Sequence, residues 1–510
     1  MSTSEKYVGT VLAVVVAVIA LALARKKWTL RRLPYPPGPK GYPIIGNVLG
    51  FPGDPIWEGL AKMAQEHKTD ILHLDMMGSH LVVLSNSDVA ADLAEKRSII
   101  YADRPRLPMV TELMGCSWSL SMMHYGNTWR IHRKLFHRFF NITVADKYDD
   151  KICKAVNVFL HRLSENPERF LNHVHFLTGS LALSVAYGLN VESENDEFFS
   201  SSEDAMSAFD IALAPGAFLV DVLPLLKYVP EWFPGAGFQK FAREAKENLD
   251  KSTNLPFQHV KESFQADAIT TSSFAAECLE ELPELSEDGV DEEAIRGVAG
   301  TIYLETTGSS LKSFFLAATL HPEMVRMAQK ELDEVVGGDR LPDLFDKPQL
   351  PYITAFVKEV LRWGPPTPLT SAHRVMEDDV YKGQLLPAGT TVMDNVWAMF
   401  RNESDYPDAH TFNPGRFLKD GQIDPNVKDP ELQLFGWGRR ICPGRHFALR
   451  VMFLTIARTL AVFDISKCLD ENGNPIVPDG KYTSAIITQP LPFRSDIKPR
   501  SAHALSLIAG

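Results

Sequence analysis

The run Phe435-Gly-Trp-Gly-Arg-Arg-Ile-Cys-Pro-Gly444 sets one thiol, Cys442, on a glycine-punctuated loop just ahead of a helix-period segment, His446 to Val462. Gly436, Gly438 and Gly444 allow left-handed or crowded backbone and bring amide N–H groups toward the sulfur. Those amides, with a helix N-terminus beyond, stabilise a thiolate and tune its electron donation to a metal. The bland alternative is a free cysteine in a tight turn. Glu359 and Arg362 stand three residues apart on one helical face, and the mostly apolar stretch Ile353–Leu361 points to burial. A buried pair of this kind needs further partners, whereas a surface pair contributes little. Trp129 and Arg133, at i and i+4, offer an indole N–H and a guanidinium fork suited to a carboxylate. An amphipathic helix with its Trp on the core side would explain the same spacing.

The full run is similar to the haem-binding loop of the P-450 cytochromes, Phe-x-x-Gly-x-Arg-x-Cys-x-Gly, and matches every fixed position. The resemblance extends from about Trp28 to Ser501 and looks like the fungal membrane-bound type. It implies a mainly α fold with small β-sheets, haem b as cofactor and Cys442 as the axial iron ligand. It also implies that Trp129, Arg133, Arg374 and Arg440 bind the haem propionates. Arg416, in Phe412-Asn-Pro-Gly-Arg-Phe417, would complete a structural lock with Glu359 and Arg362. The activity implied is a monooxygenase reaction, RH + O2 + NADPH + H+ giving ROH + H2O + NADP+, with the haem carrying the chemistry.

One segment departs from the family pattern. Where the family's long helix carries a small pair followed by acid and alcohols, this chain reads Ala299-Gly-Thr-Ile-Tyr-Leu-Glu-Thr-Thr-Gly308. Glu305, Thr306 and Thr307 supply an acid and two hydroxyls for proton transfer. Ile302 and Tyr303, however, stand where the small residues would be, as though three or four residues were missing. A loss of four would shorten a helix by about 6 Å but turn it only about 40°, leaving a continuous helix with its buried face nearly preserved. Two readings stay open: a genuine variant with altered oxygen handling, or a misplaced exon edge. The first carries a rival function, a haem-thiolate isomerase, dehydratase or binder that activates oxygen poorly. A membrane-anchored electron carrier is a second rival, and no suitably placed His or Met motif supports it.

The elements around these residues follow from composition and pattern. With 510 residues, 45% hydrophobic and 23% charged, the chain is an ordinary large enzyme, and its net charge of −12 argues against a nucleic-acid partner. Cys116, Cys153, Cys278, Cys442 and Cys468 show no disulfide-like spacing, as expected of reduced thiols. Tyr7 to Ala24 carries no charge and is followed by Arg25, Lys26, Lys27, Arg31 and Arg32. That pattern predicts a lumenal tip (1–6), a membrane span (7–24), a basic and proline-rich stalk (25–45) and a cytosolic catalytic domain (46–510) on the endoplasmic reticulum. The sequons at Asn141 and Asn402 would then stay unmodified.

Short strands are expected at Ile71–Leu74, Leu81–Leu84, Tyr381–Gly383, Thr390–Met393, Tyr482–Thr488 and Phe493–Ile497, among helices. Gln265 to Glu293 is expected as an exposed connection. The resemblance places the substrate among Met109–Met123, Ile302–Thr307, Pro366–Thr370 and Tyr482–Ile486, largely apolar or small stretches that imply a lipophilic molecule drawn from the membrane lipid. Basic residues on one helix (Arg130, His132, Arg133, Lys134, His137, Arg138), with Arg439, Arg445 and Arg450 near the cysteine, suit an acidic electron donor. By resemblance that donor is NADPH–cytochrome reductase.

Overall fold

Alternating apolar residues make Ile71–Met76 and Ser79–Leu84 an antiparallel hairpin, with Ile71 opposite Leu84. Met77 and Gly78 turn it, both at positive φ (57° and 86°), which matches the twist of a two-residue hairpin. Thr391–Asp394 runs parallel to the second strand, and His373–Arg374 lies antiparallel beside it, completing a four-stranded sheet. The computed structural model describes residues 33–214, 216–268, 271–303 and 306–508. The expected tip and membrane span (1–24), the basic half of the stalk and Glu305 lie outside these residues. Among the described residues no helix is long and apolar enough to cross a membrane.

The proline segment expected as a spacer packs against the sheet. His73 N donates to Pro37 O at 2.9 Å, Leu385 N donates to Pro34 O at 2.8 Å, and Tyr35 stacks on His73. Its prolines leave carbonyls free, and the sheet margin uses them.

Helices make up most of the rest. Among them are Asn127–Phe140, Phe170–Tyr187, Pro351–Trp363 and Arg445–Val462, the last beginning three residues after Cys442. Phe140 stacks on Tyr148 (5.1 Å between centroids) and meets Phe447 edge-on, so the helix after the loop is tied to the helix carrying Trp129 and Arg133. These rings belong to one large apolar core running through the helical part.

Four expectations need correction. Gln265 to Glu293 contains the helix Phe274–Glu280, whose Phe274, Ala275 and Cys278 are fully buried. Ser273 caps it by accepting from Ala276 N, a local signal hidden among acidic neighbours. The strand placed at Tyr381–Gly383 is Asp379–Tyr381 paired with Gln384–Leu386, and Lys382 and Gly383 form the turn. Tyr482–Thr488 is a loop that closes on itself at the Tyr482–Pro490 bridge and is tied to the core by Tyr482 Oη to Ser313 and Thr488 N to Pro366 O.

The fourth concerns the helix expected to be continuous: among the described residues Glu292–Tyr303 and Thr307–Leu320 are helical, and Thr306 stands outside both. Thr306 between them has φ −106° and ψ −2°. The flanks are held by different neighbours. Gly300 fits against Trp118 and Thr253, whereas Gly308 fits against Thr178, and a Cβ at either would come within 3 Å of those atoms. Packing thus fixes the register of each flank against its own neighbours.

Candidate active site

Two glycines shape the cysteine loop. Gly438 has φ +59°, and a Cβ there would lie 2.1 Å from the Ala94 carbonyl oxygen, so no larger residue fits. Gly436 is also left-handed, at φ 75°. The loop closes where Cys442 N donates to Phe435 O at 2.8 Å. Cys442 is half-buried, three residues before the helix that begins at Arg445. Arg133 faces it from the Asn127–Phe140 helix: burial pushes this guanidinium down to about 10, Cys442 beside it pulls it back up, and Arg445 lowers it further.

Above this loop the chain gathers positive charge. Arg440 donates to Ala102 O and Met123 O at 2.7 Å and lies over the buried Trp129 ring, 4.5 Å from its centroid. Burial pushes Arg440 down to about 9, and Arg104 and Arg133 push in the same direction. Arg104 is itself buried and donates to Ser121, Ser371 and Ala372 carbonyls; burial holds it at about 10 even with Asp394 and Asp103 opposing. His373 completes the group. Its Nδ1–H donates to Tyr101 O at 2.8 Å, which leaves Nε2 unprotonated, and burial with Arg104 holds the ring near 3. Three desolvated guanidiniums thus gather with a neutral imidazole, and Asp103 and Asp394 offset their charge only in part.

Arg374, expected here, is exposed and turned to Asp103, 3.3 Å away. Neighbouring strand residues face opposite sides, so the sheet that sends His373 inward sends Arg374 outward. Arg104 and His373 were missed for the same reason: nothing in local spacing marks them. The clue available was the pairing of the two segments Tyr101–Arg104 and His373–Arg374, which only the sheet brings about.

Beneath the cysteine loop, Glu359 and Arg362 are both fully buried. Arg362 Nε and Nη2 each donate to the Glu359 carboxylate at 2.7 Å, and Nη1 and Nη2 reach Phe400, Ala409 and Thr411 carbonyls. Arg416 Nε donates to Glu359 Oε1 at 3.1 Å and ties Pro407, Asp408 and Thr411 carbonyls with its other nitrogens. The three side chains lock the Pro351–Trp363 helix to the irregular segment 400–416, which precedes the cysteine loop.

Thr307, buried, opens the second helix of the oxygen segment, and Thr306 is half-buried at the junction. Lys134 and Arg138, expected in an open basic patch, pair with Asp288 and Glu281, and Arg450 pairs with Asp149. Arg130 and Arg439 remain exposed, both lying over Tyr125.

Known proteins are similar to this chain over nearly its whole length. The profile of the family described as Cytochrome P450 matches residues 36–494. A cytochrome P450 monooxygenase of Armillaria gallica is 39% identical over 98% of both chains, and one of Coprinopsis cinerea is 40% identical over 99% of this chain and 96% of its own. Tryptamine 4-monooxygenase of Psilocybe cyanescens is 34% identical over 94% of this chain and 96% of its own. A glycine-built thiolate loop, a desolvated cationic cluster above it and this likeness lead to one conclusion: the chain belongs to the cytochrome P450 family and is an oxygen-incorporating oxidoreductase that uses haem b.

Proposed function

We propose that this protein oxidises a lipophilic small molecule of secondary metabolism or an aromatic xenobiotic, with Cys442 as the iron ligand. The cationic cluster carries the reading. Arg104, Arg133 and Arg440 are all held below their ordinary range by burial, and a group bearing two carboxylates fits such a cluster. The residues present therefore suit haem b, with Arg133, Arg440 and Trp129 as propionate holders, joined by Arg104 and His373. When bound, the haem supplies dioxygen activation and the oxidation of a C–H bond.

What the chain does is position and protect. Gly438 and Gly436 hold Cys442 in the loop, and Arg133 favours its thiolate. The Glu359–Arg362–Arg416 lock fixes the segments under it. Met109, Val110, Met114, Trp118 and Met122 form a buried apolar cluster with Ala205 and Phe209, which excludes water and supports an apolar substrate. That one relative is named for tryptamine supports aromatic substrates within this range. Electrons would come from NADPH–cytochrome reductase, docking at Arg130 and Arg439. The uncharged segment Tyr7–Ala24 would anchor the protein in the endoplasmic reticulum membrane, with the catalytic domain cytosolic.

Replacing the ligand tests the reading. Cys442→Ala should abolish the thiolate-type carbon monoxide spectrum of the reduced protein, and its persistence would refute the assignment. The departure at Ile302 and Tyr303 from the family's small residues favours a second reading, in which the haem-thiolate protein activates oxygen poorly and serves as an isomerase, dehydratase or binder. Full haem uptake without substrate-dependent NADPH consumption would select it.

A further inference from the structure

A polar cluster flanks the helix junction, and nothing above assigns it a role. Tyr303 is the last residue of the first helix and is 9% exposed; its hydroxyl donates to Glu203 Oε1 at 2.5 Å. Glu203 sits on another helix, Glu197–Leu213, and its second oxygen, Oε2, pairs with His175 Nε2. His175 is on Phe170–Tyr187 with its side chain 47% exposed, so the sequence of groups begins in solvent.

The packing places this cluster at the junction. Gly179 gives Tyr303 and Glu203 their room: a Cβ there would lie 3.1 Å from the Tyr303 hydroxyl and 3.4 Å from Glu203 Oε1. On the other side, a Cβ at Gly308 would lie 2.9 Å from Thr178 Oγ1. Neighbouring residues of one helix, Thr178 and Gly179, therefore lie against Gly308 and Tyr303 respectively, on the two sides of Thr306 and Thr307 in the chain. Lys312 of the second helix also faces Glu203. Burial lowers this ammonium, Glu203 raises it, and its Nζ donates to Gln489 Oε1 at 2.6 Å.

We propose that Glu203 is a proton-relay residue, taking protons from solvent through His175 and passing them through the Tyr303 hydroxyl toward Thr306 and Thr307. The proposal rests on the monooxygenase reading, because RH + O2 + 2e⁻ + 2H⁺ giving ROH + H2O consumes two protons each cycle. The geometry supplies the first two hops, from His175 Nε2 to Glu203 Oε2 and from Glu203 Oε1 to the Tyr303 hydroxyl. Ionised, Glu203 only accepts, from Tyr303 and from His175. Once the imidazolium gives its Nε2 proton to Oε2, the carboxylic acid becomes a donor. Rotation of the acid turns its O–H toward the tyrosine oxygen, and the tyrosine releases its own proton toward the junction. The imidazole is reprotonated from water, so no group is consumed. Tyr303, which displaces a small residue of the family pattern, is in this account the link that joins the relay to the oxygen segment.

Glu203→Gln keeps the shape but cannot carry a proton, and Tyr303→Phe removes the hydroxyl. The measurements are substrate-free NADPH oxidation with reductase in H2O and D2O, and the infrared carbon monoxide stretch of the reduced protein across pH. Wild type should show a carbon monoxide band that shifts with pH. Both variants should lose that shift, slow NADPH oxidation by roughly tenfold to a hundredfold, and raise the solvent isotope effect, while Glu203→Asp restores part of the rate. Variants that match wild type in isotope effect and pH response overturn the relay, including variants that are merely slower, for which the bond would be only a tie between helices. A wild-type protein with no thiolate-type carbon monoxide spectrum overturns instead the haem-thiolate reading on which the relay stands.

Discussion

Glu359 is a carboxylate with no exposed surface that serves two guanidiniums, and the backbone amide of Asn413 also donates to it, at 2.7 Å. A buried charge is tolerated when all its hydrogen-bonding capacity is used, and removing one partner leaves the others uncompensated. Glu359→Gln should therefore cost about 3–5 kcal/mol, seen as a lower denaturant midpoint, and haem retention should fall with it. Cys442→Ala makes the opposite pattern. It leaves this lock intact, so haem-free protein should unfold at the wild-type midpoint while the carbon monoxide spectrum disappears. The pair of variants separates residues that hold the site from the residue that would hold the metal. Glu359 and Arg362 could be found from their spacing and Arg416 from resemblance. Their carbonyl partners at Phe400, Ala409 and Thr411 could not, since these arise from loop conformation.

Elements decide which side chains enter the site. The two-residue strand His373–Arg374 illustrates this, because a period of two sends one residue inward and one outward. His373→Ala should speed haem loss to an apo-globin acceptor several-fold, whereas Arg374→Ala should change it little. The converse ranking would show that the strand turns when haem is bound. The oxygen segment shows the same control at larger scale. Periodicity marked 292–320 as helical on either side, and helix arithmetic allowed continuity. Two separate packing surfaces, Trp118 with Thr253 and then Thr178, set the register of each flank, and Thr306 stands outside both helices. The alternation and the register are tertiary facts: each depends on which neighbour packs against a given face.

At the scale of the whole molecule, charge governs pH response and docking. Burial raises Asp394 from 3.8 to about 7, against a weaker pull from Thr370 and Arg104. The native state then holds a proton that the unfolded chain releases between pH about 4 and about 7, so this residue's contribution to stability falls as pH rises through that window. His373 works the other way. Its ring stays neutral down to about pH 3 when folded but protonates near 6.5 when unfolded, so stability rises across that interval. Asp394→Asn should remove the first arm, and its melting temperature should exceed wild type by more at pH 8 than at pH 5. For docking, Arg130 and Arg439 are the exposed cations left after Lys134, Arg138 and Arg450 are paired. Arg439→Glu with Arg130→Glu should raise the KM for reductase several-fold at low salt, and the gap should close as salt screens both proteins.

The linear chain by itself determined the thiol loop, the helix after it, the strands at 71–74 and 81–84 and the Glu359–Arg362 pair, and its motifs carried the resemblance that implied the class of chemistry. The former rest on residue type and on spacing within a turn or a strand, where covalent geometry leaves few choices. Tertiary structure alone decided that His373 rather than Arg374 joins the cationic cluster, that Arg104 belongs to it, that the proline segment lies on the sheet and that Thr306 stands outside the flanking helices. It also brought Glu203 to Tyr303, 100 residues along the chain, and His175 to Glu203. Those contacts join segments distant in sequence, and their energies come from burial and packing, which no local pattern encodes.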